Sequence, residues 1–154
     1  MLKYYICKYY LNATHSFDYD VSHAHAHTFT VSFWIQQPGE EEYFSFYDID
    51  RMISGYIDRF NGKYLNEEPE FAALNPTLEN IGDVMFKEVE KRLDKEHVTL
   101  LQVEICENPL RVYSVSNKIL LVSEHANNSG RNWEKLLSKK REIMLMAGKE
   151  REKL

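Results

Sequence analysis

The sequence predicts an α+β domain, an antiparallel sheet covered by helices. Three observations predict it. Two N-terminal segments alternate apolar and polar residues with a period of two, as strands do. Two central segments repeat apolar residues at helical spacing. Two further short apolar runs, split by a turn at Asn108-Pro109, return to strand patterning. The order ββααββ argues for strands on one layer and helices on the other.

Each element has its own warrant. Residues 2–15 place Tyr5, Cys7, Tyr9, Leu11, Ala13 and His15 on one face of a strand. Residues 16–24 are a polar loop, and 25–36 form the second strand, with Phe29, Val31, Phe33 and Ile35 on one face and Thr28, Thr30 and Ser32 on the other. Gln37-Pro38-Gly39 and the run Glu40-Glu41-Glu42 read as a solvated turn. Asp48 is a good cap for a helix carrying Ile49, Met52, Ile53, Tyr56, Ile57 and Phe60, which Asn61-Gly62 ends. A loop with Pro69 and Pro76 leads to a second helix capped by Thr77, with the stripe Leu78, Ile81, Met85 and Val89. Val98 to Cys106 and Arg111 to Ser116 are the third and fourth strands, and Ile119 to Ser123 is a candidate fifth. Residues 131–153 are charged and of helical spacing, with Trp133, Leu136, Leu137, Ile143 and Met144 as a stripe. The expected organisation is one domain over 1–125 and a C-terminal helical extension over 126–154.

At 154 residues and 44% hydrophobic, the chain suits one domain with a real core. The net charge of −5 speaks against a nucleic-acid partner, which wants a basic face. Cys7 and Cys106 form neither a disulfide framework nor a zinc-ribbon pattern. The N-terminus is a mixed polar and aromatic strand rather than an apolar signal core, and no run approaches membrane length, so a cytoplasmic protein is expected.

The chemistry lies in the histidines. His15 ends the first strand, and His23-Ala24-His25-Ala26-His27 opens the second. Residues two apart on a strand project from one face, about 7 Å apart along the chain, so alternate imidazoles can converge on one ion. His15 on a neighbouring strand supplies a third nitrogen. The histidines share the alternation of Phe29 and Val31 and so point toward the interior, where unpartnered imidazoles are costly. Three histidines with an open fourth position suit a catalytic zinc. Spacing alone does not choose His25 and His27 over His23 and His25.

Four motifs in order carry a resemblance. They are Leu11-Asn12-Ala13-Thr14-His15; His25-Ala26-His27-Thr28-Phe29-Thr30-Val31; Tyr64-Leu65-Asn66 with Asn75-Pro76-Thr77-Leu78-Glu79-Asn80-Ile81; and Val103-Glu104-Ile105. They resemble the F-x-A-x-H, H-G-H-x-[FY]-x-V, L-N … N-P-T-x-E-N-[IL] and K-E-T motifs of the 6-pyruvoyl-tetrahydropterin synthases and of the 6-carboxy-tetrahydropterin synthases of queuosine biosynthesis. The resemblance covers residues 2–116. It implies the tunnelling fold: a four-stranded antiparallel sheet with two helices on one face, joined between subunits around a channel, commonly as a hexamer of two stacked trimers. It implies zinc on His15, His25 and His27, with Phe29 fixing the register and His23 left as an extra. It also implies Glu104 as the anchor of a pterin substrate, accepting paired hydrogen bonds from the ring, with the neighbourhood of Thr77 lining the pocket. Val98, Leu100 and Cys106 share the face of Glu104 by alternation, so the carboxylate is expected to be buried.

The resemblance breaks at the proton-transfer groups. The family's cysteine falls on Val21, and its Asp-His pair falls on Asn61 and Gly62. None of these can move a proton. Asp20, beside the cysteine position where some members carry a carboxylate, and His23 are the candidate replacements. Two readings follow. One is a zinc-dependent lyase acting on 7,8-dihydroneopterin triphosphate or a related pterin. The other is a zinc-containing pterin or purine binder with impaired chemistry. A weaker third is a zinc that only ties two strands together.

Overall fold

A computed structural model describes residues 3–37, 39 and 44–117. Strand β1 runs over Tyr5–His15 and strand β2 over His25–Gln36. Helix α1 follows at Phe46–Asp58, a two-residue strand β3 at Lys63–Tyr64, and helix α2 at Leu78–Asp94. Strands β4, Thr99–Asn108, and β5, Arg111–Val115, close the order. The sheet order is β3-β1-β2-β4-β5.

The expected α+β class holds, with one correction. The sheet is five-stranded and mixed, not four-stranded and antiparallel. β3 pairs parallel to β1 through Ala13–Lys63 and Thr14–Tyr64. Two residues carry no periodicity, so this strand left no mark in the sequence. The other neighbours pair antiparallel. The candidate strand over 119–123, the helix over 131–153, the acidic run at 40–42 and the boundary at 125/126 all lie outside the described residues.

Both helices pack on one face of the sheet. Leu11, Phe29, Val31, Phe33, Val103 and Ile105 from the strands meet Ile53 and Ile57 of α1 and Ile81, Met85 and Val89 of α2 in one buried cluster. Helix α1 begins three residues earlier than expected. Ser45 Oγ, not Asp48, caps it by accepting from the Asp48 amide at 3.3 Å. Asp48 thus sits in the first turn, where a carboxylate complements the helix dipole. Contacts of Phe46 with Tyr5 and Phe44, each 4.6 Å between ring centroids, hold this earlier start. Helix α2 starts as expected, with Thr77 Oγ1 accepting from the Asn80 amide.

A bulge on β4 overturns one face assignment. Trp34 pairs with Gln102 but Ile35 pairs with Leu100, leaving Leu101 as the extra residue. An extra residue inverts the alternation beyond it. Val98 and Leu100 therefore join the core with Val103 and Ile105, and do not share the face of Glu104.

Candidate metal centre

The two long strands form a hairpin whose register opposes His15 to His25 and Ala13 to His27. All three histidines fall on the helix-facing side, at the end where residues 16–24 connect the strands. One ligating nitrogen from each lies within 4.8 Å of the other two. The ring centroids are 4.6 Å apart for His15 and His25, 5.3 Å for His15 and His27, and 4.9 Å for His25 and His27. Ligand atoms of a tetrahedral zinc are roughly 3.3 Å apart at ordinary Zn–N lengths, so small movements would complete the site.

The surroundings fix what each ring can do. His15 is fully buried, and its Nδ1 lies 2.6 Å from the Pro76 carbonyl. A carbonyl only accepts, so Nδ1 carries the proton and Nε2 offers a lone pair. That Nε2 is buried without a hydrogen-bond partner. A buried polar atom without a partner calls for an explanation, and an ion supplies one. Burial lowers the His15 pKa, and His25 and His27 lower it further, partly opposed by the Pro76 carbonyl. The neutral ring is the form that ligates. His25 directs Nδ1 at the His23 carbonyl, 3.1 Å away. Phe17 and Phe29 pack against the imidazoles, with centroids 4.9 Å and 5.6 Å from that of His15. His25 and His27 remain half-buried, which leaves the cluster open to an incoming molecule.

The motif asparagines build the walls. Asn66, buried, accepts from the Ser16 amide and donates to the Ser16 carbonyl, both at 2.9 Å. Asn75 donates to the Phe17 carbonyl, and Asn80 donates to the Asn75 carbonyl at 2.8 Å. Together they hold the chain leaving β1 against the segment before α2, so that Pro76 reaches His15. Thr77 follows directly, its hydroxyl engaged as the helix cap.

Other residues singled out from the sequence stand elsewhere. His23 lies in a 3₁₀ turn over Val21–His23, its Nδ1 2.6 Å from Asp18 Oδ2. Asp20 caps that turn by accepting from the Ser22 amide and hydroxyl at 2.8 and 2.7 Å. Val21 is 65% exposed. Asn61 Oδ1 accepts from the Asn12 amide, while the Gly62 amide donates to the Asn12 carbonyl. The positions of the family's Asp-His pair thus clamp β1, and the φ of +73° at Gly62 suits a glycine. Glu104 pairs with Ser32, which alternates with the core residues Val31 and Phe33. It therefore projects from the sheet face opposite the histidines, buried and accepting from Gln102 Nε2 at 3.0 Å. One residue at the cluster was missed. Glu107 Oε2 lies 3.8 Å from His27 Nε2. Its sign was the alternation Val103, Ile105, Glu107, continuing the core face of β4.

A family model, 6-pyruvoyl tetrahydropterin synthase, matches residues 5–118. The chain belongs to this family. It is a divergent member. The 6-pyruvoyl tetrahydropterin synthase of Caenorhabditis elegans is 14% identical, with a TM-score of 0.60, over 76% of this chain and 98% of that one. An uncharacterized protein of Wolinella succinogenes is 13% identical, also at 0.60, over 77% and 99%. The 6-pyruvoyl tetrahydropterin synthase of Plasmodium vivax is 12% identical at 0.51, over 75% and 99%. At these identities the likeness carries the fold alone. A comparison with curated proteins found no significant match. The family is metal-dependent, and three imidazoles here are placed to form a site. Among the described residues no helix is long and apolar enough to cross a membrane.

Proposed function

We propose that this protein is a zinc-dependent, pterin-synthesising lyase of the 6-pyruvoyl or 6-carboxy type, acting on 7,8-dihydroneopterin triphosphate or a related pterin. The observation that supports it is the cluster of His15, His25 and His27, with the buried Nε2 of His15 aimed into it and lacking a partner. When bound, the ion would supply a Lewis acid for the side-chain oxygens of the substrate. His15, His25 and His27 would hold it. Phe17 and Phe29 pack against the His15 ring, and the neighbourhood of Thr77 would line the substrate pocket. Glu104 would hold the pterin ring through paired hydrogen bonds to a carboxylate. Since it projects from the other sheet face, the pocket is completed only by another copy of the chain, in keeping with a hexamer of two trimers. Asp20 or His23 would move protons, after release from their local turn. Cytoplasmic residence and an extension over 126–154 belong to the same reading.

A second reading has its own support. Val21 is exposed and inert, and Asn61 and Gly62 are engaged in clamping Asn12. A protein with the metal and the anchor but no resident base would bind pterins or purines and turn over slowly, since such groups are typically worth about 10²–10⁴-fold in rate. Incubation with 7,8-dihydroneopterin triphosphate separates the two. Metal analysis tests what they share. The wild type should hold about one zinc per chain, His23→Ala should keep it, and the double variant His25→Ala/His27→Ala should lose it. Stoichiometric zinc in the double variant refutes the ligand set.

A further inference from the structure

A second set of polar side chains meets where α1 ends, and none of it belongs to the histidine cluster. Tyr56, in the last turn of α1, is 2% exposed, and its hydroxyl is buried without a hydrogen-bond partner. Two guanidinium groups lie against its ring. The central carbon of Arg59 is 5.7 Å from the ring centroid, and that of Arg92, on α2, is 5.0 Å from it. Glu70 comes from the short turn Pro69–Phe71. Its Oε1 accepts from Arg59 Nη2 at 2.6 Å, while its Oε2 is buried without a partner. Nε of Arg92 is buried without a partner as well. Burial, and then the charges of Glu70 and Glu88, raise the Tyr56 pKa, partly opposed by Arg59 and Arg92, so the same groups surround the hydroxyl. Two helices and a turn thus bring one hydroxyl, one carboxylate oxygen and one N–H group to a single seam, each of them unmet.

We infer that this seam is a binding site for one small neutral molecule that both donates and accepts hydrogen bonds, and that its resident is a water. The unmet groups decide the chemistry. Glu70 Oε2 only accepts, so the occupant must donate to it. The N–H of Arg92 Nε only donates, so the occupant must accept from it. The Tyr56 hydroxyl does either. A buried water typically makes about three hydrogen bonds, and this seam offers that number. A metal cation would face two guanidinium groups, and an anion without a proton would have nothing to give Glu70. Neither satisfies all of the groups, whereas a water does. Buried polar atoms in folded proteins are satisfied in the large majority, and a gathering of unmet ones calls for a common cause.

The position gives the water a task. Phe71 anchors the turn from below, fully buried, with its ring centroid 6.2 Å from that of Phe60. The Leu74 amide donates to the Phe71 carbonyl at 3.3 Å, and the chain runs on to Asn75 and Pro76, which brace the residues around the end of β1. A water shared by Tyr56, Glu70 and Arg92 therefore joins both helices to the segment that walls the histidine cluster. It does so through hydrogen bonds, which fix direction, where apolar packing is non-directional.

The test uses the full-length chain. A crystal structure places the occupant, and magnetic relaxation dispersion of water oxygen-17 reads the residence times of long-lived internal waters. The wild type should show one oxygen within hydrogen-bonding distance of Tyr56 Oη, Glu70 Oε2 and Arg92 Nε. Tyr56→Phe keeps the ring packing and removes one partner, so this water should exchange faster by up to about tenfold, the worth of one hydrogen bond. Glu70→Gln should keep the water, because its oxygen still accepts from Arg59 and the water can accept from its amide. A wild-type structure in which Tyr56, Glu70 and Arg92 pair directly with one another overturns the inference. Unchanged dispersion in Tyr56→Phe overturns it too. So does loss of the occupant in Glu70→Gln, because the site would then be held by the carboxylate's charge and suit a cation.

Discussion

Asn66→Ala should cost far more than the loss of one polar side chain suggests. Asn66 satisfies both backbone groups of Ser16, accepting from its amide and donating to its carbonyl at 2.9 Å each, and Ser16 itself is fully buried. Alanine would orphan both groups. Each unsatisfied buried group costs about 1–3 kcal/mol, so about 2–6 kcal/mol is at stake. Asn66 retains 9% exposure, so one water should enter the vacated space and recover part of the loss. The expected destabilisation is about 2–4 kcal/mol. Urea unfolding of metal-free protein measures it without contribution from bound ions. Asn66→Asp makes the control. It keeps the acceptor for the Ser16 amide but sets an oxygen against the Ser16 carbonyl, so it should lose about 1–3 kcal/mol. Because Ser16 adjoins His15, metal affinity should fall in both variants. A change within about 0.5 kcal/mol for Asn66→Ala, the range of an ordinary surface substitution, would refute the reasoning.

Gly82→Ala sets a helix-propensity gain of about 1 kcal/mol against overpacking of about 1–3 kcal/mol. Its Cβ would meet Tyr113 Cδ1 at 2.8 Å and Ile105 Cγ2 at 3.1 Å, and the Tyr113 ring is held by its hydroxyl on Asp83 at 2.7 Å, so a net loss is expected in thermal unfolding and a gain would contradict it. Burial, and then the hydrogen bond to Asp83, push the Tyr113 pKa up to about 12 from an ordinary value of 10.0. A folded pKa above the unfolded one means the contribution is intact below pH 10 and disappears toward 12. The stability gap between wild type and Tyr113→Phe should therefore narrow over that range in buffered urea titrations, and a constant gap would contradict this. Glu104→Gln should weaken pterin binding by an amount on the order of 1.5–3 kcal/mol, read by calorimetry, and unchanged affinity would remove Glu104 from the pocket.

Periodicity carried most of the architecture. The alternation of Tyr9, Leu11 and Ala13 and of Phe29, Val31 and Phe33 was enough to place β1 and β2, and the Thr77 cap was read at its true position because a hydroxyl before an apolar stripe has a local cause. What failed was non-local. β3 exists only because Ala13 and Thr14 have an open edge beside Lys63 and Tyr64. The bulge at Leu101 answers to its partner strand, so strict alternation misassigned Val98 and Leu100. Ser45 and Asp48 are both competent caps, and aromatic packing around Phe46 decided between them. At the site, spacing left two histidine pairs open. The resemblance chose His25 and His27, and those are the two that lie beside His15. The places of Asn66 and Glu107 at the site were illegible because each meets a residue far off in sequence. The glutamate nevertheless sat on the right face of β4.

The three imidazoles come from the two strands of a single hairpin, at its closed end, with only residues 16–24 between His15 and His25. That geometry has a kinetic side. Closing so short a connection costs little chain entropy, and hairpins form within roughly 1–10 μs, well before distant strands meet. An isolated hairpin is marginal in water, so an ion gripping its closed end would bias the chain toward the correct pairing while β4 and both helices are still unplaced. The Pro76 carbonyl would arrive later and tighten a centre already assembled. Metal would thus speed refolding as well as slow unfolding, and its uptake would time the first step of assembly rather than the last.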